Sequence, residues 1–308
     1  MEETITIRVP ATSANLGPGF DCLAMALDLW NESTWTRTER GIQVEIRGAG
    51  ALEIPRDSRN LAIQSAMHLF NLRGETPPDG LLVQCDNHIP PGSGLGSSAA
   101  AVLSGLLAAN AMLEAPLPDE DILNIAAEIE GHADNAAAAL YGGLILAAHL
   151  EKGWHVQRYI IPSLDIVVVV PKMDLPTHAA RSALPATLPF QDAVFNIGRT
   201  ALVIEAIRSG DLDHLDELME DRLHLPYRLK LIPGGAAALQ AARKAGACAA
   251  TLSGAGPGLI AFARGNQAEI AQAMQSTLNS HGIEVESFIL HSTLYGAGIV
   301  RTPIQFNG

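Results

Sequence analysis

The sequence predicts an α+β protein of two domains, one over residues 1–160 and one over residues 161–308. Three observations carry that prediction. The chain has 308 residues, 48 % of them hydrophobic and 17 % charged, which is enough for one large core or two modest ones. Strand-like and helix-like segments are mixed without the regular strand–helix repeat of a barrel or a doubly wound sheet. The pattern also changes near residues 150–160, where the hairpin-like "HLEKGWHVQRYIIP" leads into the unbroken β-branched run "LDIVVVVP".

Each element follows from its local pattern. Ile5, Ile7 and Val9 alternate with polar residues and predict a first strand ending at Pro10; "ATSANLGPGFD" then reads as a loop. "STWTRTERGIQVEIRG" reads as a hairpin turning at "ERG", and "RNLAIQSAMHLFNLRG" as a helix stopped by Gly74. "GLLVQCDNHIPP" returns as a strand. An Ala/Leu-rich helix is expected from Ser98 to about Leu113. Another opens at Pro118 and Asp119, with acidic residues in its first turn, where the helix dipole favours them. In the second half, helices are expected at roughly 191–208 and 211–224, in "IPGGAAALQAARKAG" and near 266–282. Strands are expected in "ACAATLSGAGPG", "LIAFAR" and "VESFIL".

Composition narrows the functional classes. With 20 Lys+Arg against 33 Asp+Glu, the net charge is −13, which disfavours nucleic acid and anionic lipid as partners. Any anionic ligand must be held by local features against a repulsive global field. Cys22, Cys85 and Cys248 are far apart and lack metal spacing, as expected of reduced thiols in a cytoplasmic protein. "MEETITIRVP" is acidic and alternating, unlike a secretion signal, and no apolar run is long enough to span a bilayer.

The most informative stretch is "PPGSGLGSSAA", Pro90–Ala100, which lies between a predicted strand and a predicted helix. A helix N-terminus presents unpaired N–H groups and partial positive charge, and glycines ahead of it let a phosphate approach the backbone. The stretch has no Walker A lysine, and a serine replaces the last glycine of a dinucleotide fingerprint. Neutralising a polyphosphate here would fall to amides, the helix dipole and a metal, with Ser98 offering its hydroxyl. The composition alone equally fits a flexible turn with a serine cap.

This stretch resembles the P-x-x-x-G-L-G-S-S-A-A motif of the GHMP kinases. Three further segments are similar to the homoserine kinases within that superfamily: "PATSANLGPGFDCLAMAL", "EIEGHADNAAAALYGG" and "LSGAGPG". With "THAAR" and "PYRLKLIPG", the likeness covers nearly the whole chain in order. It implies a two-domain fold, N-terminal ribosomal-protein-S5-domain-2-like and C-terminal ferredoxin-like, with the active site between the domains. It also implies ATP-dependent phosphorylation of the L-homoserine hydroxyl, in threonine biosynthesis, with Mg²⁺. The mevalonate-type kinases and a non-catalytic nucleotide-binding relative are the alternatives. Homoserine kinases are commonly dimers, so a homodimer is possible.

The resemblance implies site residues position by position. ATP would lie over Pro90, Pro91, Gly92, Ser93, Gly94, Leu95, Gly96, Ser97, Ser98, Ala99 and Ala100, with Asn60 near the base; Asn60 could equally cap the following helix. Mg²⁺ would be held by Ser98 and Glu128, with Glu130 a near neighbour. Arg181 and Arg228 would clamp the substrate carboxylate, which suits the planar arginine fork, with Thr177 and Gly254 nearby. Asp21 and Asp134 are assigned to the ammonium, and Asn15 and His132 to the hydroxyl end. Asp134 and Asn135 are the candidate catalytic residues. The segments expected to build the site contain no lysine, so no lysine-polarised aspartate base is available there.

Overall fold

The computed structural model describes residues 4–300; residues 1–3 and 301–308 of the two predicted domains, including the start of the segment read as unlike a secretion signal, lie outside the described residues. Strands β1 (Thr4–Asn15) and β2 (Gly19–Thr38) form a long antiparallel pair. The first strand does not end at Pro10. It continues through a register shift between Pro10 and Ala11, which accommodates the missing proline N–H, so most of the expected loop is strand. Ala11, Thr12, Ser13 and Ala14 are all buried, which explains why a polar-looking segment runs through the interior.

Strand β3 (Gly41–Gly48) does not fold back on β2 as the predicted hairpin would. Strand β4 (Gly80–Asn87) lies between them, antiparallel to β2 and parallel to β3. Helix α1 (Leu61–Arg73) makes the β3–β4 crossover that parallel pairing requires. It ends, as predicted, at Gly74, whose φ of 67° gives the left-handed cap.

Helices α2 (Ser97–Met112), α3 (Asp119–Glu130) and α4 (Asp134–Tyr141) follow. The last is absent from the sequence reading, which took "GHADN" as loop. The expected hairpin of β5 (Leu144–Leu150) and β6 (Gly153–Tyr159) does form, and β5 pairs with the early part of β2.

The second sheet contains β7 (Asp165–Pro171), β8 (Ala249–Leu252), β9 (Leu259–Ala263) and β10 (Val285–His291) in the antiparallel order β10-β7-β9-β8. That is the 4-1-3-2 order of the expected ferredoxin-like domain. Around it run α5 (Thr177–Ser182), α6 (Phe190–Ser209), α7 (Leu215–Leu218), α8 (Leu225–Arg228), α9 (Gly235–Lys244) and α10 (Gln267–Ser280). The helix expected over 211–224 is reduced to the single turn α7. Asp221 takes the amide protons of Leu223, His224 and Leu225 on its own carboxylate, which competes with helix continuation.

The chain finally returns to the first sheet, where β11 (Gly298–Val300) pairs with β1. The residue-160 boundary therefore does not separate the two sheets completely. The three cysteines are free thiols, and burial pushes Cys22 and Cys85 up to about 11, far from nucleophilic. Among the described residues no helix is long and apolar enough to cross a membrane.

Candidate active site

The Pro90–Ser98 loop leaves β4 and opens α2 between the two sheets. Gly92, Gly94 and Gly96 have φ of 64°, 77° and 72°, a conformation glycine adopts without penalty. At Gly96 a Cβ would also collide with the Thr12 hydroxyl, and at Gly94 with the Ser253 carbonyl, so the loop is gripped from both sides. Ser93 braces it internally, donating to the Pro90 carbonyl at 2.6 Å. The C-terminal glycine segment supplies the remaining clamps. Ser253 Oγ donates to the Gly94 carbonyl at 2.7 Å, and the Gly258 amide to the Ser93 carbonyl at 3.1 Å.

Gly96 caps α2 without any side-chain hydrogen bond. Among the described residues, no hydrogen bond engages the amides of Gly94, Gly96, Ser97, Ser98 or Ala99. The helix therefore presents its positive end with its donors unspent, which is what an anion needs.

Two cavities meet there. One, of about 230 Å³, is mainly apolar and is walled by Val9, Ile46, Ile54, Leu61 and Ala101, with Asn60 at its edge. The other, of about 240 Å³, is polar and contains Asn15, Asp21, Glu130, His132, Asp134, Asn135, Thr177, Arg181, Arg228 and Gly254. Both are lined by Gly92, Ser97 and Ser98.

Within the polar cavity, Asp21 and Arg181 form a two-pronged ion pair, both contacts 2.9 Å. Asp134 is buried, and one of its oxygens accepts from His132 Nδ1 and from the Asn135 amide, each at 2.7 Å. That hydrogen bond, chiefly, holds the His132 pKa above its ordinary 6.5, against the opposing effect of burial. The pair therefore stabilises the fold fully below pH 6.5 and loses this contribution as pH rises through the elevated folded value. Asp134→Asn should lower the His132 midpoint in an NMR titration; an unmoved midpoint would remove the carboxylate as its cause.

Arg228 is 2 % exposed, donating weakly to the Ala180 and Gly254 carbonyls at 3.3 and 3.4 Å. Burial pulls its pKa down, and its guanidinium lies 5.0 Å from the Phe20 ring. Asn135 Oδ1 accepts from Thr12 at 2.7 Å.

The GHMP kinases N terminal domain profile matches residues 60–143, and the GHMP kinases C terminal profile matches 203–280. The homoserine kinase of Moorella thermoacetica is 42 % identical over 295 residues, covering 96 % of this chain and 99 % of its own. That of Carboxydothermus hydrogenoformans is 41 % identical over 282 residues, covering 92 % of each. The chain belongs to the homoserine kinase family of the GHMP kinases. The crystal structure of homoserine kinase from Cytophaga hutchinsonii matches it with a TM-score of 0.86 at 28 % identity, over 97 % of this chain and 98 % of that one. An L. major mevalonate kinase, at 20 % identity over 95 % of each chain, shares the fold with a TM-score of 0.69.

Against the homoserine kinase pattern, the structure redistributes some expected roles. Glu128 is exposed on α3, away from the loop, whereas Glu130 accepts a 2.6 Å hydrogen bond from Ser98 Oγ. The carboxylate opposite Ser98 is thus Glu130, because two residues along a helix turn a side chain by about 200°. Burial raises the Glu130 pKa above 4.5, only partly offset by Ser98.

Asn60 has both amide ends engaged, accepting from the Ala62 amide and donating to the Pro55 carbonyl, so the capping alternative is realised. Leu95 is fully buried and anchors the loop in the core, and Pro90 is half-buried and lies outside both cavities. Asn15 lines the polar cavity, but its Oδ1 accepts from the Asp21 amide and its Nδ2 donates to the Gly254 carbonyl. Thr12, Ser13 and Ser253, which lie in the segments "PATSANLGPGFDCLAMAL" and "LSGAGPG", have no individual signal in the sequence that marks them as loop clamps.

Proposed function

We propose that the chain transfers the γ-phosphoryl group of ATP to the side-chain hydroxyl of L-homoserine, giving O-phospho-L-homoserine and ADP. The observation that carries this reading is the meeting of an apolar and a charged cavity at the donor-rich start of α2. The adenosine moiety suits the first, the amino acid suits the second, and the phosphates would occupy the shared loop.

The charged cavity matches a zwitterion. Asp21 and Asp134 offer carboxylates to the ammonium, while Arg181 and Arg228 offer guanidinium forks to the carboxylate. Asp21 and Arg181 neutralise each other in the ligand-free cleft, and a bound amino acid supplies each with a replacement partner. A hydroxy acid without an ammonium would leave Asp21 unmatched, which disfavours a mevalonate-type substrate. His132, hydrogen-bonded to Asp134, would face the hydroxyl end.

No lysine lines either cavity, so the arrangement lacks a lysine-polarised aspartate base. In this mechanism the hydroxyl oxygen forms its bond to the γ-phosphorus as the bond to the β,γ-bridging oxygen breaks. The hydroxyl proton passes to a γ-phosphoryl oxygen, and ADP leaves. The chain contributes alignment of the hydroxyl and amide stabilisation of the phosphoryl oxygens, the main sources of rate in this chemistry. Asp134 positions the substrate, with Asn135 beside it.

Ser98 and Glu130 fit a divalent ion: both offer hard oxygens within one hydrogen bond of each other, and desolvation of the half-buried carboxylate raises its pKa, a penalty a cation would relieve. Among the described residues there is no cluster of three or more metal-ligating side chains, so the ion would depend on phosphate oxygens as well, as Mg²⁺ commonly does. Bound there, Mg²⁺ supplies charge neutralisation for the polyphosphate.

The test is ADP release from ATP and Mg²⁺ with homoserine or mevalonate as acceptor. Turnover restricted to homoserine is expected. Turnover of mevalonate, or ATP binding with no turnover on either alcohol, would overturn the reading.

A further inference from the structure

The segment "NLGPGFD", residues 15–21, spans the end of β1, the connecting Leu16, Gly17 and Pro18, and the start of β2, where Asp21 lines the polar cavity. The backbone here is strained. Asn15, Leu16 and Asp21 have φ of 71°, 43° and 56°, and no other non-glycine residue among the described residues has a positive φ. Side chains disfavour this region, so the turn needs external support to persist. Gly17 packs so closely on the Met219 backbone that a Cβ there would lie 2.6 Å from its carbonyl oxygen.

That support comes from the second half of the chain. His224 Nε2 donates to the Gly17 carbonyl at 2.8 Å. The Pro18 carbonyl accepts from Asn196 Nδ2 at 3.2 Å and lies 3.0 Å from Thr200 Oγ1, whose one proton is shared with the Asn196 carbonyl at 2.9 Å.

These donors are themselves held. Asn196 Nδ2 also donates to Asp221 at 2.6 Å, and Asn196 Oδ1 accepts from the Arg222 amide at 3.1 Å. The other Asp221 oxygen accepts the His224 amide at 2.8 Å. Asn196 and His224 are 2 % and 0 % exposed, so these bonds are shielded from competing water.

The His224 ring is central to these contacts. Burial, above all, lowers its pKa, and the nitrogen facing the Gly17 carbonyl carries a proton because a carbonyl only accepts. Nδ1 has no partner among the described residues. The ring stacks on Phe20 at 5.3 Å, and Phe20 in turn lies beneath Arg228 and Arg181. None of Asn196, Thr200 and His224 lines either active-site cavity.

We infer that Asn196, Thr200 and His224 are positioning residues which latch the strained Gly17–Pro18 turn and thereby set Asp21 and the Phe20–arginine stack for amino-acid binding. The inference rests on the reading of the polar cavity as the homoserine site. Releasing the latch lets the turn relax toward ordinary φ values and swings the Asp21 carboxylate away from the ammonium. None of these bonds is made by a residue of the glycine loop.

Three variants of the full chain test this, with KM for homoserine and for ATP, kcat and thermal midpoint measured for each. His224→Leu removes the donor and is expected to raise homoserine KM about tenfold or more, with ATP KM changed less than about twofold. His224→Gln retains an N–H donor of similar reach and should recover most of that loss. Thr200→Val is nearly isosteric, decides the matter if His224→Leu does not fold, and should raise homoserine KM several-fold. Equal effects of Leu and Gln at 224, parallel rises in both KM values, or an unchanged homoserine KM in Thr200→Val would each overturn the latch. A wild-type chain that fails to phosphorylate homoserine would sink the kinase reading itself, whereas an active wild type with those variant results sinks only the latch.

Discussion

Glu130→Gln should reduce kcat by about 10²–10³-fold, while Glu128→Gln stays within about twofold of the parent. The contrast follows from position. Glu130 accepts from Ser98 at the start of α2 and lines the polar cavity, where burial penalises its charge. A desolvated carboxylate with a raised pKa is stabilised by a divalent ion, and that ion is worth several kcal/mol of charge stabilisation in phosphoryl transfer. Glutamine keeps the volume and an oxygen but loses the charge. Glu128 is exposed and makes no hydrogen bond among the described residues, so its substitution belongs with neutral surface changes. Steady-state kinetics over a Mg²⁺ titration would check this, since the Glu130 variant should also need more metal. Equal losses at both positions would return the metal site to an open question.

Arg228→Lys is the second large effect. Homoserine KM should rise by about 10²–10³-fold, with ATP KM nearly unchanged, because removing one member of a desolvated charge pair costs about 2–5 kcal/mol. Arg228 is 2 % exposed, and its known protein contacts are two long bonds to carbonyls, leaving much of its donor capacity for a ligand. Lysine preserves the charge but not the planar fork that pairs two-to-two with a carboxylate. In the same buried position a lysine would also shed its proton more readily. Comparing homoserine with homoserine amide separates these causes. The parent should discriminate strongly against the amide and the variant weakly. Unaltered discrimination would reassign the carboxylate to Arg181 alone.

The glycine segment "PPGSGLGSSAA" was legible because its information is local. Glycines at left-handed positions, a strand before them and an alanine-rich helix after them are visible without any partner. The stop of α1 at Gly74 and the acidic start of α3 are local in the same way. Strand pairing is not. Nothing within "STWTRTERGIQVEIRG" says that β4 lies between its two halves, because a period of two records which face is buried and not which strand lies alongside. Helix α4 was missed because its Asx-rich start has the composition of a turn, while its alanines are stabilised by burial against the first sheet.

The site divides along the same line. The residue types were readable: an arginine pair, carboxylates, a histidine and a donor-rich loop, with the resemblance supplying their roles. Which glutamate faces Ser98 was not readable, since that depends on the rotation of α3 against α2 and only packing sets it. Nor was the support of the strained turn, where Asn196, Thr200 and His224 reach carbonyls about two hundred residues earlier in the chain. By itself the sequence determined the two-domain α+β class, the glycine-rich helix start and the residue types of the cleft, because backbone propensity and side-chain type are properties of neighbouring residues. Only the tertiary structure decided strand order, which glutamate faces Ser98 and which side chains reach the Gly17–Pro18 turn, because those depend on distances between segments that no local pattern encodes.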